Sequence, residues 1–510
     1  MADLSHSPLS GGKQVLGVLV LAFGNFMIVL DTTIANVSIP TIAGDLGIST
    51  TEGTWVITSY AVAEAITVPL TSWLAMRFGQ VRLFVVSVAL FVLFSVLCGL
   101  SWSLESLVVF RVAQGLAGGP VIPLSAILLL SIFPKDKSHI ALALWGVTTV
   151  IAPIGGPLIG GWICDNYTWP WIFYINVPFG LFIGLGTWLL LRNRETETRR
   201  TAIDAVGVGL LVVFVTAFQL MIDKGRELDW FASSFILGCA IVSVLALIAL
   251  IIWELTDDDP VLDLSVFASR NWLVSTLTLC LMFGLFFGNI VLTPIWLQSQ
   301  MGYTAYWSGL ATAPLGVFAV VTAPIVGRLL PKIDPRLIVT YGMSVLALSF
   351  FMRAQFTTQV DYVTIALSML ILGAGVPACV VTLTALGVSD LPPEKVAGGS
   401  SMQNFLRVMS MAVGGSLSQT YWEHATKENR AELVSIIDPA AQARLTEQAM
   451  QIGLPEPSAV AFFSRMVDGQ AVMLATNDFY AAACLLMLAF AGVIWFARRP
   501  KGSLQQSSGH

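Results

Sequence analysis

The chain has 510 residues, of which 56% are apolar and only 11% are Asp, Glu, Lys or Arg. A soluble globular protein carries roughly 25% charged residues, so this composition excludes a soluble multidomain enzyme and a disordered chain. The formal charge of −5 provides no polyanion-binding surface and argues against a nucleic-acid partner.

Long apolar segments recur along the whole chain. A helix crosses the hydrocarbon of a bilayer with about 20 mostly apolar residues. The first segment is not a signal peptide, because it runs past the length of an h-region and ends in a polar cluster. The pattern predicts an all-α integral membrane protein with fourteen spans at residues 15–34, 55–75, 83–100, 106–130, 141–163, 170–191, 204–222, 232–253, 273–296, 308–330, 337–352, 363–386, 401–420 and 479–497.

The basic residues lie mainly in the loops of one side. By the positive-inside rule this side is cytoplasmic, which places both termini in the cytoplasm. The short loops of the other side hold only Lys224, Arg226 and Arg353. The one sizeable polar segment, 421–476, then faces outward. It is too short for a strong independent core, so we expect a docking or capping element.

Two turns of the chain suggest an internal repeat. The segments VPLTSWLAMRFGQVRL (68–83) and APIVGRLLPKIDPRL (323–337) align at a constant offset, with Pro69 meeting Pro324. Duplicated halves are common in transporters, although two unrelated basic turns would also explain the similarity. A duplication predicts a 6+2+6 arrangement: an N-terminal six-helix bundle in 1–200, two inserted helices in 201–255, and a C-terminal six-helix bundle in 256–510 that includes the outer segment.

Three ionisable residues lie within the spans of the first half: Asp31, Glu64 and Arg111. Such residues are costly in a bilayer and are functional candidates by default. At 1.5 Å per residue, Glu64 lies about 14 Å deep, near the midplane. All three fall in the outer half, where one cavity can hold them. The alternatives are that Asp31 is a boundary residue and that Arg111 extends to the surface.

Glu64 is too deep to reach the surface, so its carboxyl group must be protonated or paired. Burial favours the neutral form and a nearby arginine favours the charged form, and a group balanced between them can take up and release protons. We therefore expect Asp31 and Glu64 to handle protons or a cationic substrate, with Arg111 adjusting their protonation. Arg407, near the inner end of span thirteen, suits a structural or gating role. Candidate substrate-binding residues at the same depth are Asn25, Gln114 and Asn289.

Glycine and proline are concentrated in span five, which reads APIGGPLIGG (152–161). Glycine permits close helix packing and proline bends a helix in lipid. Ordinary tight packing is one explanation. The density of these residues favours a hinge between inward-open and outward-open states, formed by Gly156, Pro157, Gly160 and Gly161.

No pattern for other energy sources or for enzyme chemistry is present. The phosphate-binding loop motif is absent, and the four histidines lie away from mid-membrane. The six cysteines form no C-x-x-C pair and are best explained as small buried hydrophobes. We therefore predict no cofactor, no metal site and no enzyme activity, so that transport depends on a gradient or is passive.

Several segments carry a resemblance to a known family. They are LDTTIANVSIP (30–40), Leu107-x-x-x-Arg111-x-x-Gln114-Gly115, Gly156-Pro157-x-x-Gly160-Gly161 and Trp169-Pro170-Trp171. The chain resembles, over its whole length, the fourteen-span drug:proton antiporters of the major facilitator superfamily, and most closely the EmrB-type multidrug pumps. The resemblance implies the major facilitator fold, a role for the span-four arginine in proton coupling, and export rather than import.

The resemblance also implies partners and a gate. The loop motif after span two retains Arg77, Gly79 and Arg82, but Met76 stands among the departures from the family pattern and an acidic gate residue is missing. Members of the family work with a periplasmic EmrA-like adaptor and a TolC-like outer-membrane channel in Gram-negative cells. Segment 421–476 is the expected adaptor contact.

These observations together predict proton-driven efflux of hydrophobic or amphipathic toxic compounds across the inner membrane by alternating access, as part of a tripartite pump that contributes to antibiotic resistance. One alternative is a dedicated exporter of an endogenous amphiphile such as a fatty acid or siderophore. Another is a passive channel or a transport-like sensor. A membrane-embedded enzyme is the weakest alternative, since no nucleophile–base set is visible.

Overall fold

The computed structural model describes residues 9–134, 138–198, 204–257, 262–392, 395–437, 444 and 455–498. All regular secondary structure in these residues is helical, so the all-α prediction is confirmed.

The first helices of the chain alternate long apolar segments with short connecting turns. In chain order they are α1 (Gly12–Leu46), α2 (Thr50–Gly53), α3 (Trp55–Phe78), α4 (Gln80–Gly99), α5 (Leu104–Gly118), α6 (Val121–Ile132), α7 (Ser138–Asn166), α8 (Trp171–Tyr174), α9 (Asn176–Leu191), α10 (Ala205–Gly225) and α11 (Ser234–Thr256).

The remaining helices follow after residue 262. They are α12 (Arg270–Ser299), α13 (Ala305–Thr312), α14 (Pro314–Leu329), α15 (Pro335–Arg353), α16 (Tyr362–Ser389), α17 (Val396–Ile436) and α18 (Glu456–Val493).

Eleven helical segments in the described part of the chain are long and apolar enough to cross a membrane, where α5–α6, α8–α9 and α13–α14 each count as one. Three further long helices, α3, α7 and α17, are not among these eleven. The chain is therefore a multi-pass membrane protein, and the total of fourteen spans stays a prediction.

Two large cores organise the helices. One core contains Phe84, Phe91 and Leu124 and joins α1, α3–α7 and α9. The other contains Phe283 and Phe350 and joins α12 and α14–α18. The two groups meet where α3 packs on α17 and where α7 packs on α14 and α16, while α10 and α11 pack on each other and α10 also contacts α3 and α17.

Large apolar side chains also cover the outside of the helices. Leu245 on α11 is 61% exposed and Leu185 on α9 is also exposed. Such a surface is unfavourable in water and favourable in lipid, which is consistent with the spans predicted from the sequence.

The last two long helices extend far beyond their predicted spans. Span 401–420 lies inside α17, which continues to Ile436, and span 479–497 follows residues that already belong to α18. The two extensions pair through Arg430, whose Nε lies 2.6 Å from the Asp468 carboxylate. The described ends of the outer segment 421–476 are thus continuations of membrane helices.

Two basic residues assigned to outer loops lie elsewhere. Arg353 is the last residue of α15 and is 1% exposed, and Lys224 lies buried in the last turn of α10. The loop assignment was wrong because hydropathy alone cannot distinguish a charged helix end at the surface from one that is enclosed by neighbouring helices.

Candidate functional site

An ion pair between α1 and α5 forms the centre of the candidate site. Arg111 Nη1 lies 2.6 Å from Asp31 Oδ2, and both side chains are almost fully buried. α1 extends to Leu46, so Asp31 lies in the helix interior rather than near its end. The pair joins residues 80 positions apart in the chain.

Neighbouring amide groups complete the coordination of the Asp31 carboxylate. Asn176 donates from Nδ2 to Oδ1 at 2.6 Å, and Gln114 donates from Nε2 to the same oxygen at 3.2 Å. Asn176 also donates to Ser95 Oγ at 3.0 Å. Three donor groups on two oxygens therefore satisfy the hydrogen-bonding capacity of the buried Asp31 side chain.

The Arg111 guanidinium is enclosed on its other sides. Its Nε donates to the Val56 carbonyl at 3.0 Å, and its Nη1 also donates to Gln114 Oε1 at 2.8 Å. Its Cζ lies 4.1 Å from the centroid of the Tyr60 ring, a cation–π distance. Arg111 therefore does not extend to the surface.

Glu64 lies apart from this ion pair. Its side chain belongs to α3 and is 8% exposed, and its carboxyl group makes no hydrogen bond or ion pair with any described residue. It interacts electrostatically with Arg111 and with Arg407. Unlike Asp31, Glu64 is thus a buried carboxyl group that no donor among the described residues holds.

The three predicted substrate-binding residues are all buried and occupy different places. Gln114 belongs to the ion-pair network described above. Asn25 donates to Thr148 Oγ1 at 2.8 Å, between α1 and α7. Asn289 accepts a hydrogen bond from Arg353 in the second half of the chain.

Arg353 forms a second buried network that the sequence did not reveal. Its Nε donates to Ser368 Oγ at 3.0 Å, and its Cζ lies 5.4 Å from the centroid of the Tyr480 ring. The Tyr480 hydroxyl is 2.8 Å from Thr293 Oγ1, which donates to Asn289 Oδ1. No carboxylate lies within ion-pair distance of Arg353 among the described residues.

The predicted hinge glycines lie where α7 approaches α1. A Cβ atom on Gly156 would collide with the side chain of Thr33, and one on Gly160 would lie 3.3 Å from the Ile34 carbonyl oxygen. Gly161 is buried in the same helix. Pro157 also belongs to this helix, and its side chain is not among those that the structure describes. These contacts explain the glycines by close packing, and the hinge stays a prediction.

The predicted gate loop joins α3 to α4. Gly79 has a φ of 90°, which favours glycine, and a Cβ there would collide with Glu195. Glu195 accepts hydrogen bonds from the backbone N–H groups of Val81 and Arg82 at 3.0 and 2.8 Å. Arg77 stacks over Trp73 at 5.6 Å.

Glu195 thus places a carboxylate at the positive end of the α4 dipole. No local sequence pattern indicates this contact, because Glu195 follows the loop by more than a hundred positions. It supplies a negative charge in a loop whose own acidic residue is absent.

Within the described ranges, no group of three or more His, Cys, Asp and Glu side chains is placed to hold a metal ion.

Known proteins match the chain along nearly all of its length. The family model described as Major Facilitator Superfamily matches residues 21–415. The multidrug export protein EmrB of Haemophilus influenzae is 46% identical over 499 residues, covering 97% of this chain and 98% of the relative. EmrB of Escherichia coli K12 is 45% identical over 502 residues, covering 98% of each. The fatty acid resistance protein FarB of Neisseria gonorrhoeae is 40% identical, also covering 98% of each.

Solved structures show the same fold at low sequence identity. The crystal structure of the peptide transporter POT matches with a TM-score of 0.59 and 13% identity, covering 97% of this chain and 98% of that one. A bacterial homologue of the human lysosomal transporter Spinster matches with a TM-score of 0.54 and 14% identity, covering 97% and 100%. The chain therefore belongs to the Major Facilitator Superfamily and, within it, to the group of the EmrB multidrug export proteins.

Proposed function

We propose that this protein exports hydrophobic and amphipathic toxic compounds across the bacterial inner membrane by alternating access, driven by the proton gradient. The observation that carries the proposal is the contrast between two buried carboxyl groups. Asp31 is held by Arg111, Gln114 and Asn176, whereas the Glu64 carboxyl group has no direct partner in the described structure.

Each carboxyl group has a distinct role in this proposal. The Asp31–Arg111 pair holds α1 against α5 and supplies a fixed dipole with no net charge. Glu64 takes up a proton when the site faces the outside and releases it toward the cytoplasm. One charge that moves through 100 mV yields about 2.3 kcal/mol, which corresponds to a concentration ratio of roughly fiftyfold.

The proposed topology has fourteen spans with both termini in the cytoplasm. The eleven apolar candidates together with α3, α7 and α17 make up this number. α10 and α11 are the inserted pair of the 6+2+6 arrangement, in keeping with their packing on each other. The hinge at Gly156–Gly161 and the gate at Arg77–Arg82 belong to the same proposal.

The proposed assembly is a tripartite pump with a periplasmic adaptor and an outer-membrane channel. The paired extensions of α17 and α18 project beyond the predicted spans and expose charged side chains such as Arg430 and Asp468. Such a polar helix pair provides a surface for an adaptor.

A proton-flux measurement tests the coupling. The purified protein is placed in liposomes with a pH gradient that is followed by a dye, and amphipathic drugs are added one at a time. We expect drug addition to dissipate the gradient with the wild type and not with Glu64→Gln. Glu105→Gln is the matched control, because Glu105 is exposed in the first turn of α5. If drug addition leaves the pH gradient of wild-type liposomes unchanged, the result would contradict proton-coupled export and would favour a passive channel or a sensor.

A second candidate is dedicated export of one endogenous amphiphile. The similarity to a fatty acid resistance protein favours it. A growth-inhibition panel distinguishes the two: protection against many unrelated compounds supports multidrug export, and protection against one chemical class supports the dedicated exporter.

A further inference from the structure

A cleft lies between the two groups of helices, away from the Asp31–Arg111 pair. α6 and α7 form one side of it, and α12, α16 and α17 form the other. Pro123, Ile127 and Leu130 form much of its apolar wall. Its polar part is concentrated on α17, at Gln403, Asn404 and Arg407.

Arg407 is a buried cation with no carboxylate within ion-pair distance among the described residues, and Glu64 acts on it only from farther away. It is 5% exposed, and none of the ion pairs within the described ranges includes it. Its Cζ lies 5.5 Å from the Trp145 ring centroid and 5.1 Å from that of Phe283. Two ring faces offset only part of the cost of burying a guanidinium.

Two donor groups at this end of the cleft lack acceptors. Arg407 donates from Nη2 to Asn404 Oδ1, which turns the amide so that its oxygen is used. Arg407 Nε and Asn404 Nδ2 are then buried with no hydrogen-bond partner in the described structure. A buried donor without an acceptor costs free energy of folding. Arg407 Nε and Asn404 Nδ2 therefore indicate that a ligand with acceptor atoms binds beside them.

The other groups that line the cleft narrow the chemistry of this acceptor. None of its lining residues is acidic, and its remaining wall is mainly apolar. A ligand that presents only acceptors and a negative charge would satisfy both donors and the cation. An attached apolar chain would find its environment along Pro123, Ile127 and Leu130.

We propose that Arg407 and Asn404 bind the anionic head group of an amphiphile, a carboxylate or a phosphate, whose apolar chain lies along α6. The inference rests on the proposed export function and adds to it a binding site and a charge class of substrate. It also gives a role to the Arg407 Nε and Asn404 Nδ2 donors on α17, which have no acceptor in the described structure.

Direct binding to the purified full-length protein tests this site without a gradient. The protein is reconstituted in nanodiscs of zwitterionic lipid, with empty nanodiscs as background, at a pH where dodecanoate is ionised. Dodecanoate, dodecanol and dodecyltrimethylammonium are the probes. We expect the wild type to prefer dodecanoate, and Arg407→Gln to weaken its binding at least tenfold while dodecanol binding changes less than twofold.

Further variants separate the head-group contact from a change in the fold. Arg407→Lys should keep the preference for the anion at reduced affinity, because it retains the charge and loses the planar donors. Asn404→Leu should also weaken dodecanoate binding. Ser344→Ala, at an exposed position of α15 outside the cleft, should bind as the wild type does. Dodecanoate binding that is equal in the wild type, Arg407→Gln and Asn404→Leu would overturn the proposal.

A lipid arm identifies the source of the anion. If phosphatidylglycerol in the nanodisc displaces dodecanoate from the wild type, the site accepts a lipid phosphate as well as a carboxylate. If it does not, the site takes a free amphiphile. If the wild type binds dodecanoate but no drug moves protons, the anion site is supported and the proposed coupling is contradicted. If drugs move protons but the preference for dodecanoate does not depend on Arg407, the coupling is supported and the anion site is contradicted.

Discussion

At the scale of single residues, the two buried arginine networks differ in their charge balance. Arg111 faces the carboxylate of Asp31, and Arg353 faces the amide of Asn289. Removing one partner of a buried ion pair leaves an uncompensated charge, so the two networks should respond in opposite ways to changes of charge.

The first prediction concerns the charged network. Asp31→Asn should lower the free energy of unfolding by about 3–5 kcal/mol, because Arg111 is left as an isolated buried cation. The double variant Asp31→Asn/Arg111→Gln should regain much of this stability and should still fail to transport. Thermal unfolding in detergent, read as a double-mutant cycle, measures the interaction. If the effects of Asp31→Asn and Arg111→Gln on the free energy of unfolding are strictly additive, the two side chains do not interact and the prediction is wrong.

The second prediction concerns the uncharged network. Asn289→Asp should be tolerated or stabilising, because the new carboxylate is placed beside Arg353. Asn25→Asp is the matched control, since Asn25 is equally buried and contacts a threonine hydroxyl and a backbone carbonyl. We expect its melting temperature to fall. Equal losses for both variants would show that Arg353 gains nothing from a carboxylate.

At the scale of helices, close backbone approach explains why glycine occupies particular positions. α7 carries Gly156 against Thr33 of α1, whereas Gly146 of the same helix leaves room for a methyl group, with its nearest neighbour 3.6 Å away. The two glycines therefore allow the same substitution to be compared within one helix.

The third prediction follows from this difference. Gly156→Ala should destabilise the protein by about 1–3 kcal/mol through overpacking, and Gly146→Ala should be neutral or slightly stabilising because alanine favours the helix. Thermal unfolding of both variants checks the packing. If Gly156→Ala unfolds like the wild type but loses transport, the glycine serves a hinge rather than close packing.

At the scale of the whole molecule, a polar contact joins the two helix groups. Ser72 of α3 lies 3.0 Å from Ser401 of α17, hydroxyl to hydroxyl. Alternating access requires contacts of this kind to separate and re-form, whereas contacts inside one group stay closed.

The fourth prediction uses this contact as a reporter. In a background without the other cysteines, oxidation of a Ser72→Cys/Ser401→Cys variant should cross-link α3 to α17 and stop transport reversibly. Ser38→Cys in a background that keeps only Cys164 is the control. Ser38 Oγ lies 3.3 Å from Cys164 Sγ, and both residues belong to the same helix group. The control cross-link should leave transport intact. Full activity of the oxidised α3–α17 pair in the liposome assay would argue against separation of the two groups at this point.

The sequence by itself determined that the chain lies in the membrane and approximately where its helices run. Hydropathy depends on local composition, and twenty apolar residues in a row have few alternatives to a membrane helix. Asp31, Glu64 and Arg111 stood out for a related reason, since a charge within such a segment is rare and costly.

Only the tertiary structure decided which of these charges meet. It paired Asp31 with Arg111, left Glu64 apart, enclosed Arg353, and brought Glu195 to the start of α4. These relations join positions 64 to 114 residues apart, and no local pattern encodes them. The pairing of buried charges depends on which helices pack side by side and at what rotation, and these are properties of the assembled bundle.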